Sequence, residues 1–350
     1  MAFSEGKTTI VLGAGASCEA GLPIGRDLKS KIARLIDIRY EDGGYTRSSG
    51  SGEIADAFRI KLQADGGRDI NSYLRACWRI RDAMPQAISI DNYLDAHAED
   101  ALTVVSGKLG IAQAILEAEK SSTLYVNRRE GQEMINFGRV ENTWFNKFVQ
   151  LLAENCRVDD LSANLSNLNV VSFNYDRCFE HFLYFAIQNY YRVAAADVAG
   201  MLANLKVYHP YGRAGSLPWQ RQETPIEFGA TPNPKSLLDI SAQIRTFTEG
   251  TDPDTSNIQA IRDSVAGCDR LIFLGFAFHP MNMQLLSSQG AGEVPKASYG
   301  TAYGLSQPDR EIIEREVRIL AGSEIGRVEL RNDLTCSQLL DEYRRSLTSL

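Results

Sequence analysis

The sequence predicts an α/β fold: a Rossmann-like, doubly wound parallel sheet carrying a large, mostly helical insertion. Two patterns and one turn predict it. Short, near-continuous apolar segments such as Leu271–Gly275 suit strands buried on both faces, as in a parallel sheet covered by helices. Segments of helical spacing fall between them, and strand alternating with helix implies double winding. The first apolar segment, Thr8–Leu12, runs directly into a glycine-rich turn, Gly13–Ser17, that opens a helical stretch.

The strands expected are Thr8–Leu12, Leu168–Phe173, Leu205–Tyr208 and Arg270–Leu274, each apolar, partly β-branched and ending at a turn, with Arg327–Leu330 as a further one. Helical spacing marks Arg26–Ile38, Arg177–Tyr191, Ser236–Phe247 and Pro308–Ala321. The first two strands lie about 155 residues apart, far too many for one crossover connection. That stretch begins with Glu41–Gly52, rich in Gly and Ser, which reads as a mobile loop, and continues through several helical patterns to Trp144–Leu152. Residues 45–160 are therefore expected to be a helical insertion on an α/β domain built from 1–44 and 161–350. There is no internal repeat.

The 350 residues exceed one average domain, and 44% hydrophobic with 23% charged residues is an ordinary globular balance. A net charge of −7 argues against holding nucleic acid by bulk electrostatics, so no direct nucleic-acid partner is expected. The six cysteines, Cys18, Cys77, Cys156, Cys178, Cys268 and Cys336, include no pair at metal-ribbon spacing, so neither a zinc ribbon nor any other metal is expected. Scattered thiols suit a reducing cytoplasm. There is no leader pattern and no apolar run near the roughly 20 residues that span a bilayer. The chain reads as cytoplasmic, with no membrane partner.

Chemistry concentrates at strand ends. Glycines at Gly13 and Gly15, around Ala14 and before Ser17, permit a tight turn and close approach of a dinucleotide pyrophosphate to backbone N–H groups. The competing reading is a tight strand-to-helix turn without a ligand. Cys18 takes the third glycine position of the dehydrogenase fingerprint, and no strand-end acid follows at ribose-binding distance, since Asp37 lies late in a helical segment. Hydride transfer is disfavoured.

The continuation Ala20–Pro23, Ala-Gly-Leu-Pro, is more specific. Ser172–Asp176 ends a strand with Ser-Phe-Asn-Tyr-Asp; His209 ends the next in Val207–Gly212; Leu274–Phe278 ends a later one with Leu-Gly-Phe-Ala-Phe. In this order the four segments resemble those of the sirtuin-like superfamily and span nearly the whole chain. The resemblance implies NAD as the bound nucleotide and substrate. It implies that Gly13, Ala14, Gly15 and Ser17 hold the pyrophosphate and nearby ribose, with Pro23 and Arg26 in the following cofactor loop. It implies that Gly275 and Phe276 meet the adenosine side, that Asn174 positions the nicotinamide ribose or the attacking water, and that Asp176 bonds the carboxamide. His209 would be the general base, a task that suits an imidazole near neutral pH. Ligands in open α/β sheets sit beyond the carboxyl ends of strands, where all four segments end.

Other candidates carry blander readings. Asn-x-Asp after a strand is usually turn chemistry, and a lone strand-end His is more often structural than catalytic. His279 lies either at the site or at a helix start; His97 and His181 fall in helical patterns as structural or exposed residues. Asp91 reads as a helix cap, although Ser89–Leu94 also resembles a segment of bacterial sirtuin-like proteins.

Departures from the deacylases narrow the activity. Their zinc ribbon is absent, Gly25–Arg26 stands where they carry Phe-Arg, and His-Pro-Tyr-Gly replaces His-Gly. Loss of the shielding ring favours water over an acyl oxygen as nucleophile. The pattern resembles bacterial sirtuin-like NAD hydrolases of anti-phage defence, which implies cleavage of NAD to ADP-ribose and nicotinamide, homo-oligomers and a partner such as a HerA-like ATPase or an Argonaute-type sensor. A protein deacylase, and a non-catalytic NAD- or ADP-ribose-sensing subunit of a partner ATPase, remain the alternatives.

Overall fold

A computed structural model of the chain describes residues 6–41, 46–220, 222, 224–254, 256–287, 297–320 and 327–348. The strands in chain order are β1 (Thr8–Leu12), β2 (Arg39–Glu41), β3 (Thr46–Ser49), β4 (Leu168–Ser172), β5 (Lys206–Tyr208), β6 (Arg270–Leu274), β7 (Ala297–Thr301) and β8 (Arg327–Arg331). Six of them form a parallel sheet in the order β5-β4-β1-β6-β7-β8, and β2 and β3 pair as a separate antiparallel ribbon. Counted within the sheet, that order is 3-2-1-4-5-6, the doubly wound arrangement whose crevice lies where the strand order reverses. Here the reversal falls between β1 and β6.

Between β1 and β4 run α1 (Ala14–Cys18), α2 (Gly25–Ile36), α3 (Gly52–Ala64), α4 (Asn71–Ala83), α5 (Ile90–Ala96), α6 (Ala101–Ser121), α7 (Trp144–Ala153) and α8 (Val158–Ser166). The α9 (Cys178–Tyr191) and α10 (Ala195–Leu202) helices follow β4, and α11 (Pro234–Ser241), α12 (Phe247–Thr251) and α13 (Ile258–Ala266) follow β5. Then come α14 (Pro280–Leu286), α15 (Gln307–Leu320), α16 (Cys336–Glu342) and α17 (Arg344–Thr348).

Alternation along each strand sends side chains to opposite faces, and both faces are covered. Val11, Val171 and Phe273 face a core shared with α2, α3, α4, α6 and α11. Ile10, Leu12, Val170 and Ile272 face the other, shared with α7, α9 and α16. Helices from the 45–160 stretch therefore pack directly on the sheet. α6 is the central one, and Gly110 lets it approach α2, since a Cβ there would meet Ile32 at 2.9 Å. By length and composition α6 could cross a membrane, which the run-by-run pattern does not predict, because small and polar residues interrupt its apolar ones. Buried over 67% of its most apolar window, it is a core helix.

Several boundaries differ from the sequence pattern. Part of the expected loop at 41–52 is strand: Thr46–Ser49 pairs with Arg39–Glu41, while residues 42–45, with the 44/45 boundary, lie outside the described residues. β7 is unexpected because Ala-Ser-Tyr-Gly-Thr carries almost no apolar signal. Its place between β6 and β8 makes it a strand, and Gly300 fits where a Cβ would meet Phe273 at 2.9 Å. The helix expected over 236–247 breaks at Ser241 and restarts at Phe247, where Thr246 and Glu249 form a capping box. The helix at 307–320 leaves Ala321 outside the described residues.

One buried ion pair ties the layers together. Glu119 of α6 and Arg177, just before α9, are both fully buried, with Arg177 Nη2 donating to Glu119 Oε2 at 2.5 Å and Nε to Oε1 at 3.1 Å. The same carboxylate accepts from the backbone N–H of Arg177 (3.2 Å) and of Gly229 (3.0 Å). Removing one partner of such a pair strands a buried charge. Glu119→Gln is expected to destabilise the fold by about 3–5 kcal/mol in chemical denaturation; a loss below ~1 kcal/mol would show the pair to be incidental.

Candidate functional site

Register brings the strand ends level. Leu12 lies opposite Ser172 on one side and Leu274 on the other, and Val171 opposite Tyr208. The residues that follow, Gly13, Phe173, Gly275 and His209, thus share one edge of the sheet, with Gly13 and Gly275 at the reversal and His209 two strands away from Gly13.

Two glycine loops meet there through their backbones. Gly13 N–H donates to the Leu274 carbonyl and Gly15 N–H to the Gly275 carbonyl, each at 3.0 Å. A Cβ on Gly13 would stand 2.5 Å from the Gly275 oxygen, one on Gly15 would stand 2.8 Å from the Gly275 Cα, and Gly275 itself has φ +58°. The glycines are required by this apposition, and two of the turn's N–H groups are committed to it. Ala14 N–H, at the start of the five-residue α1, has no acceptor among the described residues.

Asn174 bolts the β4 loop to this turn. It is buried, and its Nδ2 donates to the Gly13 carbonyl and to Ser17 Oγ, both at 3.0 Å. Both amide hydrogens are used, which leaves Oδ1 to accept. Asp176, also buried, accepts from the Cys178 backbone N–H at 3.0 Å. Burial raises its carboxyl above the ordinary range, against hydrogen bonds from Cys178 and Ser17; the nearby Glu119 charge adds to the rise.

His209 is held at both nitrogens. Nδ1 lies 3.1 Å from the Asn174 carbonyl and Nε2 lies 3.0 Å from Glu180 Oε1. Arg213 Nη1 donates to the same Glu180 oxygen at 3.3 Å. Burial pushes the Glu180 carboxyl up, but the His209 charge and hydrogen bond, with Arg213, more than offset it and hold it at about 2. Both groups facing the ring are acceptors, so the form that bonds both is the imidazolium. Glu180 and Arg213 escape the motif reading; the available signals are a lone acid inside the apolar α9 pattern and an Arg four residues after His209.

The remaining candidates scatter. Pro23 is half-buried, and Arg26 is exposed at the start of α2, with no bond from its guanidinium to this network among the described residues. Phe276 is buried in an aromatic cluster, 5.0 Å from Phe173 and 5.1 Å from Phe278 between ring centres, and so forms a wall. Phe278 has φ +53°, rare for a bulky residue and a mark of a constrained loop. His279 caps α14, accepting from Met281 N–H. His181 is buried against Phe228, its pKa pushed down to about 3 chiefly by burial, and His97 is exposed beside Tyr93. At the start of α5, Asp91 Oδ1 is buried without a hydrogen-bond partner among the described residues, and burial raises its carboxyl to about 6.

Because Glu180 titrates lower when folded, the stability it confers is full above its ordinary value of 4.5 and is lost as pH falls toward 2. The difference in thermal midpoint between the natural chain and Glu180→Gln is therefore expected to shrink on acidification through that window. A difference constant with pH would show Glu180 to be uncoupled from His209.

No protein-family model matches the chain, and none of the curated proteins matches it.

Proposed function

We propose that the chain is an NAD hydrolase of the sirtuin-like, anti-phage defence type. The observation that carries this reading is Asn174: its side chain joins the glycine turn, through the Gly13 carbonyl and Ser17, to the loop bearing Asp176, while its backbone carbonyl meets His209. Three of the four segments that resemble the superfamily, those of Asn174, His209 and Gly275, end at the same edge of the sheet as the glycine turn. In the reaction, water adds at the ribose anomeric carbon as the C–N bond to nicotinamide breaks, yielding ADP-ribose, nicotinamide and a proton.

The geometry divides the labour. Asn174 Oδ1 accepts a hydrogen from the water or a ribose hydroxyl and so orients it. Asp176, whose carboxyl burial raises above its ordinary range, faces the carboxamide of the nicotinamide in this reading. His209, fixed between Glu180 and the Asn174 backbone carbonyl, must free one nitrogen of both its contact and its proton before it can act as a base. The expected lack of a zinc ribbon and the helical 45–160 stretch belong to the same reading; that stretch would supply the surface for oligomer or HerA-like ATPase contacts in the cytoplasm.

A second reading has one observation in its favour. With both His209 nitrogens engaged and two glycine N–H groups committed, the crevice also suits a module that binds NAD or ADP-ribose and signals to a partner. Incubating purified protein with NAD is expected to release nicotinamide, and Asn174→Ala or His209→Ala to reduce the rate by at least about 100-fold. Full turnover by His209→Ala would overturn the assigned mechanism. Stoichiometric NAD binding by calorimetry without product, even with its genomic neighbour added, would favour the module.

A further inference from the structure

Beside His209 a cavity of about 430 Å³ opens past the end of β5. Its polar lining residues are His209, Arg213, Arg245, Ser216, Gln222, Gln243 and Asn257, with no Asp or Glu among the described residues. Glu180, the carboxylate that meets His209 and Arg213, must neutralise both when the ring is protonated. Arg245 has no partner for its guanidinium among the described residues, although it is half-buried. The cavity therefore has cationic charge in excess, and a partly desolvated guanidinium without an acceptor is costly.

The placement is rigid. Arg245 N–H donates to the Tyr211 carbonyl at 2.9 Å, and Gly212 packs so closely that a Cβ would stand 1.8 Å from the Gln243 oxygen. Arg213 is fixed from three sides by Glu180, Ser216 and Gln222. Two guanidinium forks, a hydroxyl and side-chain amides around one space match a multi-oxygen anion better than a planar or apolar ligand.

We propose that this cavity binds a phosphoryl group of a small ligand, with Arg245 as its principal contact and Arg213 and Ser216 completing the grip. The proposal does not rest on NAD cleavage. A free polyphosphate and the diphosphate of a nucleotide offer the same chemistry, so inorganic pyrophosphate and ADP-ribose serve as the two probes. Calorimetry on the full chain at low salt is expected to show saturable binding of at least one probe, weakened roughly tenfold by Arg245→Gln, less by Arg245→Lys, and weakened by added salt. Tighter binding of ADP-ribose would identify the nucleotide source, and equal binding the free anion. Arg245→Gln breaks no guanidinium hydrogen bond among the described residues, so its thermal midpoint is expected to be no lower than that of the natural chain, which separates lost binding from lost folding. Absence of saturable binding at millimolar probe, or equal affinity in Arg245→Gln, overturns the proposal. Nicotinamide release from NAD by the natural chain is scored separately, so either reading can fail alone.

Discussion

The approach of Gly275 to the Gly13–Ala16 turn is the constraint from which the rest of the crevice follows. A Cβ on Gly275 would sit 2.0 Å from the Ala16 nitrogen, so the contact admits only glycine, and its positive φ adds a second reason. Parallel pairing of β1 with β6 sets the two loops level, and hydrogen bonds from Gly13 and Gly15 close them on each other. Once the turn is fixed, its Gly13 carbonyl and Ser17 hydroxyl become fixed acceptors. Asn174 finds both, and through it the β4 loop inherits the same rigidity.

Charge is arranged in layers behind this backbone contact. Glu119, Asp176 and Glu180 are all buried within a short stretch of fold, and each meets a different fate. Glu119 is matched by Arg177 and two backbone N–H groups; Glu180 is matched twice, by His209 and Arg213. Asp176 meets no cation among the described residues, only hydrogen-bond donors, and burial raises its carboxyl. Three carboxylates of similar depth thus sit in different surroundings because their partners differ.

Some of this was legible in the sequence and some could not be. β1 and β6 announce themselves because strands buried on both faces need unbroken apolar runs, and both match their expected bounds. β7 is invisible because its identity comes from its neighbours: Tyr299 and Gly300 fill a gap between β6 and β8 that no local pattern encodes. At the site, Asn174 and His209 stand out as polar residues at strand ends. Glu180 and Arg213 do not, since a helix acid and a loop Arg acquire meaning only when folding brings them to one imidazole. The glycines were legible as a requirement but not as to its cause: a missing Cβ makes room for a phosphate or for another backbone, and spacing alone does not say which.

That ambiguity bears on how the crevice would work. A turn whose N–H groups all faced outward would hold an anion through backbone donors and the short α1. Here Gly13 and Gly15 spend theirs on carbonyls, and one free donor at Ala14 is a weak grip for a doubly charged diphosphate. Strong grip requires charge, and the described residues place it beyond the crevice, at Arg213 and Arg245 on the far side of His209. An anion drawn to those guanidiniums would compete for Arg213 and leave Glu180 more tightly bound to His209. Binding outside the crevice would then act on the imidazole within it, because both draw on the same carboxylate.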